Sequence, residues 1–331
     1  MHEPPQPRRQ DIDALRVLAT YLLFFFHVAM VFNPAPFYHV RNGDTFLDLA
    51  RFYGLGYNEI EQANPGVDPW IPPENQVVIL PTEWVLPQVE HKGIAVNIPE
   101  MRLYYFHPRQ GTGPQLVSTY PVGLGRDDWR TPSGKFSVRG KTKNPVWVIP
   151  ESIRKERIKE KGYSEKMIPG GDPGNPLGRY RFELSLPMYR IHGTNIPWGV
   201  GMQVSHGCIR LYPEDIEQLF PMVPVGTPGE FVYQPVKIGA RDGHIVAEVH
   251  PDIYLLTPGL YAEARRIIRQ LGWINAVDFG RLERAVTEQS GVPLDITLHA
   301  DGNELPEEDL RSAGEAAPHQ IGSAPQRGHS N

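Results

Sequence analysis

Ile191-His192-Gly193-Thr194-Asn195 and Ser205-His206-Gly207-Cys208-Ile209-Arg210-Leu211 are the two stretches on which the reading of this chain turns. Met188 to His192 reads as a strand that ends on His192. A thiol is a good nucleophile only as thiolate, so a working cysteine needs a proton acceptor or a cation close by. His206 stands two residues before Cys208, and adjacent strands lie about 4.8 Å apart, so His192 on one strand can reach a thiol on its neighbour. Gly207 lets substrate approach the backbone and lets consecutive N–H groups converge on one spot, as an oxyanion hole requires. Spacing leaves open which imidazole takes the proton.

Cys208 is the single cysteine among 331 residues. An internal disulfide framework and a multi-thiolate zinc site are therefore excluded. The plain alternative for a lone cysteine is a small buried hydrophobe, and its histidine-rich neighbourhood argues against that. His206-x-Cys208 is an awkward spacing for metal ligation, so no metal and no cofactor is expected. His39, His91, His107, His244 and His250 read as ordinary surface or core histidines. Hydrophobic residues at 40% and charged residues at 21% give a normal globular balance. A formal charge of -5 supplies no basic excess for a phosphate backbone, so nucleic acid is not an expected partner.

Around the two stretches lie short apolar runs at turn-rich spacing: Gly93 to Ile98, Met101 to Phe106, Leu116 to Tyr120, Lys135 to Gly140, Tyr180 to Leu184 and Glu230 to Tyr233. With 34 prolines and 32 glycines as punctuation, these define a mainly β domain, a sandwich or barrel-like fold over 91–235. Ser152 to Lys161 is a charged helical insert, and Arg154 to Lys161 is read as a solvated face or a lid. Trp129, Trp147 and Trp198 are candidates for the cleft or for ordinary packing. Upstream, 37–82 forms a small βααβ unit: a strand at Phe37 to Val40, Asp44 or Thr45 as helix cap, helices around Phe46 to Tyr53 and Tyr57 to Ala63, and a strand at Gln76 to Leu80. Pro81 to His91 is a proline-punctuated linker. Downstream, 236–299 is a short extension with a strand pair and two amphipathic helices, and 300–331 is a polar tail expected to lack order. Arg8, Arg9 and Arg16 precede an apolar run to Phe32, so 1–33 is expected to direct export, as a cleaved signal peptide or a signal anchor. The same run also looks like the first membrane helix of integral-membrane acyltransferases, without the further helices such enzymes need.

His192-Gly193-Thr194-Asn195 and Ser205 to Asp215, with Thr131-Pro132-Ser133-Gly134-Lys135-Phe136 and Asn175-Pro176-Leu177-Gly178, resemble the signature of L,D-transpeptidases of the YkuD fold, of the ErfK/YbiS/YcfS/YnhG-like kind. Val40, Gly43-Asp44-Thr45, Ala50 and Asn64-Pro65 make 37–82 similar to a LysM domain. The resemblance implies Cys208 as the acylated nucleophile and His192 as base, oriented by the Gly193 carbonyl. His206 would line the site, the N–H groups of His206, Gly207 and Cys208 would form the oxyanion hole, and Ser205, Thr194, Asn195 and Arg210 would contact substrate. Arg210 departs from the asparagine that the broad family often carries. The implied partners are peptidoglycan stem peptides and glycan strands, with an envelope lipoprotein lysine as one acceptor. The implied place is the periplasm or cell envelope, touching membrane only through the N-terminal segment. A hydrolase of the same fold that releases wall-linked lipoprotein, and a non-catalytic wall-binding scaffold, are the rival functions.

Overall fold

The computed structural model describes residues 37–298, apart from 110, 112–114 and 242. The expected export segment at 1–33 and the tail at 300–331 lie outside the described residues. Among the described residues no helix is long and apolar enough to cross a membrane.

Thr45 opens α1 (Phe46–Phe52), its hydroxyl accepting the N–H of Asp48 at 3.1 Å. Asp48 in the first turn and Arg51 in the last suit the helix dipole. Of the two predicted caps Thr45 does the capping. Asp44 instead accepts from the Arg41 N–H and the Tyr38 hydroxyl. α2 (Tyr57–Ala63) begins at Gly56, whose N–H is held at 2.6 Å by the carboxylate of Glu59. β1 (Phe37–His39) and β2 (Val77–Ile79) pair antiparallel. Asn64 ties α2 to β2, donating to the carbonyls of Ile60 and Ile79 and accepting the Ile79 N–H. Phe46, Leu49, Leu55, Ile60 and Val78 fill the small core between them.

The central part is built from β3 (Gly93–Asn97), β4 (Arg102–Phe106), β5 (Val117–Pro121), β7 (Gly134–Lys143), β10 (Tyr180–Leu184), β11 (Arg190–His192), β13 (Ile209–Arg210) and β14 (Pro228–Val232). These form one curled eight-stranded sheet in the order β13-β11-β10-β7-β14-β3-β4-β5. A short ribbon of β6 (Leu124–Gly125) with β12 (Gln203–Ser205), and a second of β8 (Trp147–Val148) with β9 (Met167–Ile168), complete the strands here. Every residue of β3 is buried because both faces are covered. Ile94 and Val96 enter the main core, together with Leu103, Phe182 and Ile191 from the sheet and Ile216 and Leu219 from α4 (Pro213–Met222). Ala95, Tyr104 and Phe106 face the other way, against Trp84 and Val89. The segment read as a linker is therefore a cover for the back of the sheet. The charged insert forms α3 (Glu151–Lys161), none of whose residues is buried.

Beyond the central sheet, β15 (Val236–Arg241) and β16 (His244–Val249) form the expected strand pair, and β17 (Leu294–Asp295) adds a third strand that the sequence reading lacked. α5 (Leu260–Gln270) and α6 (Phe279–Glu288) cover this sheet with Ile267, Ile268 and Leu282. Asp278 caps α6 by accepting from Gly280 and Arg281. A buried ion network joins this unit to the central domain: Lys237 lies 2.8 Å from Glu100 and 2.7 Å from Glu248, and His250 lies 2.7 Å from Glu248. Glu100 also takes the Asn97 amide and the Tyr104 hydroxyl. A buried charge is tolerable only when paired and hydrogen-bonded in this way.

Candidate active site

His192 and Cys208 both lie at the β13 edge of the curled sheet. β11 and β13 run parallel, with Ile191 opposite Ile209 and His192 opposite Arg210. Side chains alternate along strands, so His192, Arg190, Arg210 and Cys208 share one face of this edge. Leu211 N–H donates to the His192 carbonyl and Gly193 N–H to the Tyr180 carbonyl, fixing the end of β11 from both sides. Nδ1 of His192 lies 2.6 Å from the carbonyl oxygen of Gly193, so in the neutral ring Nδ1 carries the hydrogen and Nε2 the lone pair. Burial, and the positive charge of Arg210 next, hold the His192 pKa down at about 3. The imidazole is neutral across the physiological range.

Cys208 is half-buried. Burial pushes its thiol pKa up, against the opposing pull of the Arg190 N–H and the Arg190 and Arg210 charges. The thiol's hydrogen bond goes to the Met188 carbonyl at 3.7 Å and to neither imidazole. The resting pair is thus neutral thiol and neutral imidazole, in place of the thiolate that the sequence invited one to picture. Ser205 braces the loop, donating to the Cys208 carbonyl at 2.6 Å and accepting the Gly207 N–H at 3.1 Å. In this conformation the Gly207 N–H is turned into the loop and does not face a developing oxyanion. Gly207 itself sits at φ +97°, and a Cβ there would lie 2.9 Å from the Tyr189 ring, so the turn needs glycine.

His206 has its Nε2 at 3.4 Å from the Arg126 guanidinium and 3.6 Å from Glu156 of α3, with Trp129 edge-on to its ring. Burial and Arg126 lower its pKa. Glu156 and Arg126 were not picked out from the sequence; the charge density of the insert pointed toward Glu156 and nothing pointed to Arg126. Trp147 stacks under Arg157, whereas Trp198 is exposed. Thr194 is buried, its hydroxyl accepting the Ile196 N–H. Asn195 Oδ1 and Arg210 Nε are buried with no hydrogen-bond partner among the described residues. Arg210 also forms no ion pair among them, whereas Arg181 and Arg190 share Glu183.

Sequence reasoning also missed how the loop that carries Cys208 is buttressed. The hydroxyl of Thr131 donates to the Gly207 carbonyl at 3.1 Å and accepts the Gly125 N–H at 3.2 Å. Tyr254, from the C-terminal extension, donates to the Gly125 carbonyl and accepts the Thr131 N–H. One further cluster went unseen: Glu100, Glu248 and His250 lie close enough together to hold a metal ion. The Lys237 ammonium already bridges both carboxylates, so this donor set is matched by a protein cation.

A lone thiol at a sheet edge, with a tautomer-fixed imidazole on the neighbouring parallel strand, is an arrangement compatible with cysteine acyl transfer. Residues 91–238 match the YkuD L,D-transpeptidase catalytic domain. The chain is 34% identical over 270 residues to the probable L,D-transpeptidase ErfK/SrfK of Salmonella typhimurium, covering 79% of this chain and 85% of that protein. It is 33% identical over 276 residues to the probable L,D-transpeptidase YcfS of Escherichia coli, covering 79% and 84%, and 35% identical over 256 residues to the probable L,D-transpeptidase YbiS of the same species, covering 74% and 81%. The chain belongs to the L,D-transpeptidase family and carries its YkuD catalytic domain.

Proposed function

We propose that this enzyme is a peptidoglycan L,D-transpeptidase that works through an acyl-enzyme on Cys208. The observation that carries the assignment of roles is the 2.6 Å contact between His192 Nδ1 and the Gly193 carbonyl, which leaves Nε2 as a base on the thiol's face of the sheet. His206 Nε2 is already beside a guanidinium donor, which favours His192 as the acceptor. Rotation of the thiol away from Met188 brings its proton to Nε2, since catalytic hydrogen bonds often tighten only when substrate is bound. The sulfur attacks the carbonyl of the third stem residue, a diamino acid. The N–H groups of Cys208 and His206 receive the oxyanion. The terminal D-amino acid departs as the amine, taking the proton from His192. An incoming amine then gives up a proton and resolves the thioester, restoring the thiol.

An amine from a second diamino acid yields a 3-3 crosslink, and a lysine of an envelope lipoprotein yields a tethered protein. Arg210, a half-buried cation without a carboxylate partner among the described residues, suits a carboxylate of the stem peptide, and Asn195 Oδ1 suits one of its N–H groups. The unit at 37–82 serves as a LysM wall-binding module, with Trp70 (58% exposed) and Ile71 (79% exposed) presented beside the loop that follows α2. Catalytic residues fall within 91–235, the extension at 236–299 supports them, and 1–33 delivers the enzyme to the periplasm or cell envelope.

The test is incubation of the purified protein with a disaccharide-tetrapeptide, read by mass spectrometry. Release of D-alanine together with a dimer is expected, and Cys208→Ala removes both. Free fragments cut from crosslinked wall, without any dimer, would instead mark a hydrolase. No turnover with a thiol inert to alkylation would leave the scaffold reading standing.

A further inference from the structure

Both ends of the loop that carries Cys208 are seated on the N-terminal βααβ unit. Upstream, the first turn of α2 lies against the segment that leads into β12. Tyr57 N–H donates to the Val200 carbonyl at 3.3 Å and Asn58 N–H to the Gly201 carbonyl at 3.2 Å. The approach is backbone on backbone. Gly201 has φ +79°, and a Cβ there would lie 2.2 Å from the Tyr57 nitrogen; a Cβ at Gly56 would lie 2.9 Å from Gly201 Cα. No side chain fits in that seam.

Downstream, the chain leaves the nucleophile through Arg210 and reaches the same unit again. The Tyr212 hydroxyl donates to the Leu55 carbonyl at 3.2 Å, and Arg51 grips Glu214 with two hydrogen bonds of 2.7 and 2.9 Å. Beneath the seam the fully buried Arg102 of β4 binds Glu59 at 2.8 and 2.6 Å and the Gly54 carbonyl at 3.0 Å, with Trp84 stacked at 3.9 Å. A tethered wall-binding appendage needs none of this. Interfaces between freely moving domains do not bury a doubly bonded ion pair.

We propose that the βααβ unit is a positioning element of the active site, holding residues 200–212 so that Cys208 stands in register with His192. Turnover then depends on this seat even with a donor too small to engage a wall-binding groove. Displacement of a reacting group by about 1 Å costs on the order of a hundredfold in rate, so a modest loosening is measurable. The proposal rests on Cys208 being the nucleophile, and its readouts are chosen to separate the two claims.

The experiment uses the full chain with three substitutions in the seat, Arg51→Ala, Tyr212→Phe and Gly201→Ala, and Phe52→Ala on the exposed side of α1 as control. Each is read by kcat and KM on a soluble disaccharide-tetrapeptide, by the rate of Cys208 alkylation with iodoacetamide, and by thermal unfolding. The seat variants are expected to lose about tenfold or more in kcat with KM changed less than about threefold, and to shift the alkylation rate by a similar factor. Arg51→Lys recovers part of the loss, and Phe52→Ala matches wild type. Should Gly201→Ala fail to fold, Arg51→Ala and Tyr212→Phe carry the test. Lowered melting temperatures with unchanged kcat and alkylation rate, measured well below unfolding, would overturn the proposal. Alkylation needs no transfer reaction, so an inactive wild type with seat-dependent alkylation refutes the transpeptidase reading and keeps the positioning one.

Discussion

His192 and Gly193 are joined by a contact of their own, ring nitrogen to the next residue's carbonyl at 2.6 Å, and it selects the ring nitrogen that faces chemistry. Glutamine at 192 keeps a polar side chain of similar reach but supplies no base. His192→Gln should slow acylation of Cys208 by a carbapenem about a hundredfold or more, followed by the mass gain of the protein. Unimpaired acylation would return the role of base to His206.

Acylation chemistry here starts from a neutral pair, because burial raises the thiol and lowers the imidazole. Alkylation of Cys208 by iodoacetamide should therefore rise to a midpoint above the ordinary thiol value of about 8.5, with no shoulder near neutrality. A cation lowers a thiol's pKa, so Arg210→Met must move that midpoint further up. A shoulder in the acidic range would reveal a preformed thiolate–imidazolium pair.

Arg210 has no carboxylate partner among the described residues and a buried Nε without an acceptor. If it receives the stem carboxylate, Arg210→Met raises KM for the tetrapeptide about tenfold. Amidating the carboxylate that Arg210 holds should raise KM for wild type and leave the variant indifferent. An equal penalty in both proteins would mean that Arg210 braces the loop.

Asp215, at the start of α4, is buried beside Glu214, and its carboxyl is raised to about 8 despite Arg102 and Arg51. The folded protein holds this proton more tightly than an unfolded aspartate, with its pKa of about 3.9. Its contribution to stability is therefore complete below about pH 4, falls through the window from about 4 to about 8, and then levels. Asp215→Asn should gain melting temperature relative to wild type between pH 5 and pH 8. A constant difference between the two proteins across that range would show that Asp215 ionises normally.

Much of the site was legible because its chemistry is local in sequence. A lone thiol within two residues of one histidine and a strand away from another leaves few alternatives, and β11 and β13 do lie side by side. The longer strands and the two N-terminal helices were readable from apolar spacing and from Thr45, whereas the short β6, β8, β9, β12 and β17 were not. What sequence could not show depends on long-range closure. Met188 reaches the thiol, Glu156 reaches His206, and Tyr254 reaches Gly125 across separations that no periodicity encodes. The direction of the Gly207 N–H was hidden for another reason. Ser205 is as good an acceptor as a substrate oxygen, and only the turn geometry decides between them.

Lys237 carries a practical consequence for anyone who trims this protein. The family match ends at residue 238, which keeps Lys237 and Glu100 but discards Glu248 and His250. A fragment cut there would strip away one of the two carboxylates that neutralise the ammonium, and with it the acceptor of the Val85 N–H in the segment that covers β3 and β4. It would also lose Tyr254, and with it the brace behind Thr131. The smallest piece that preserves this edge intact therefore runs well past the end of the catalytic-domain match.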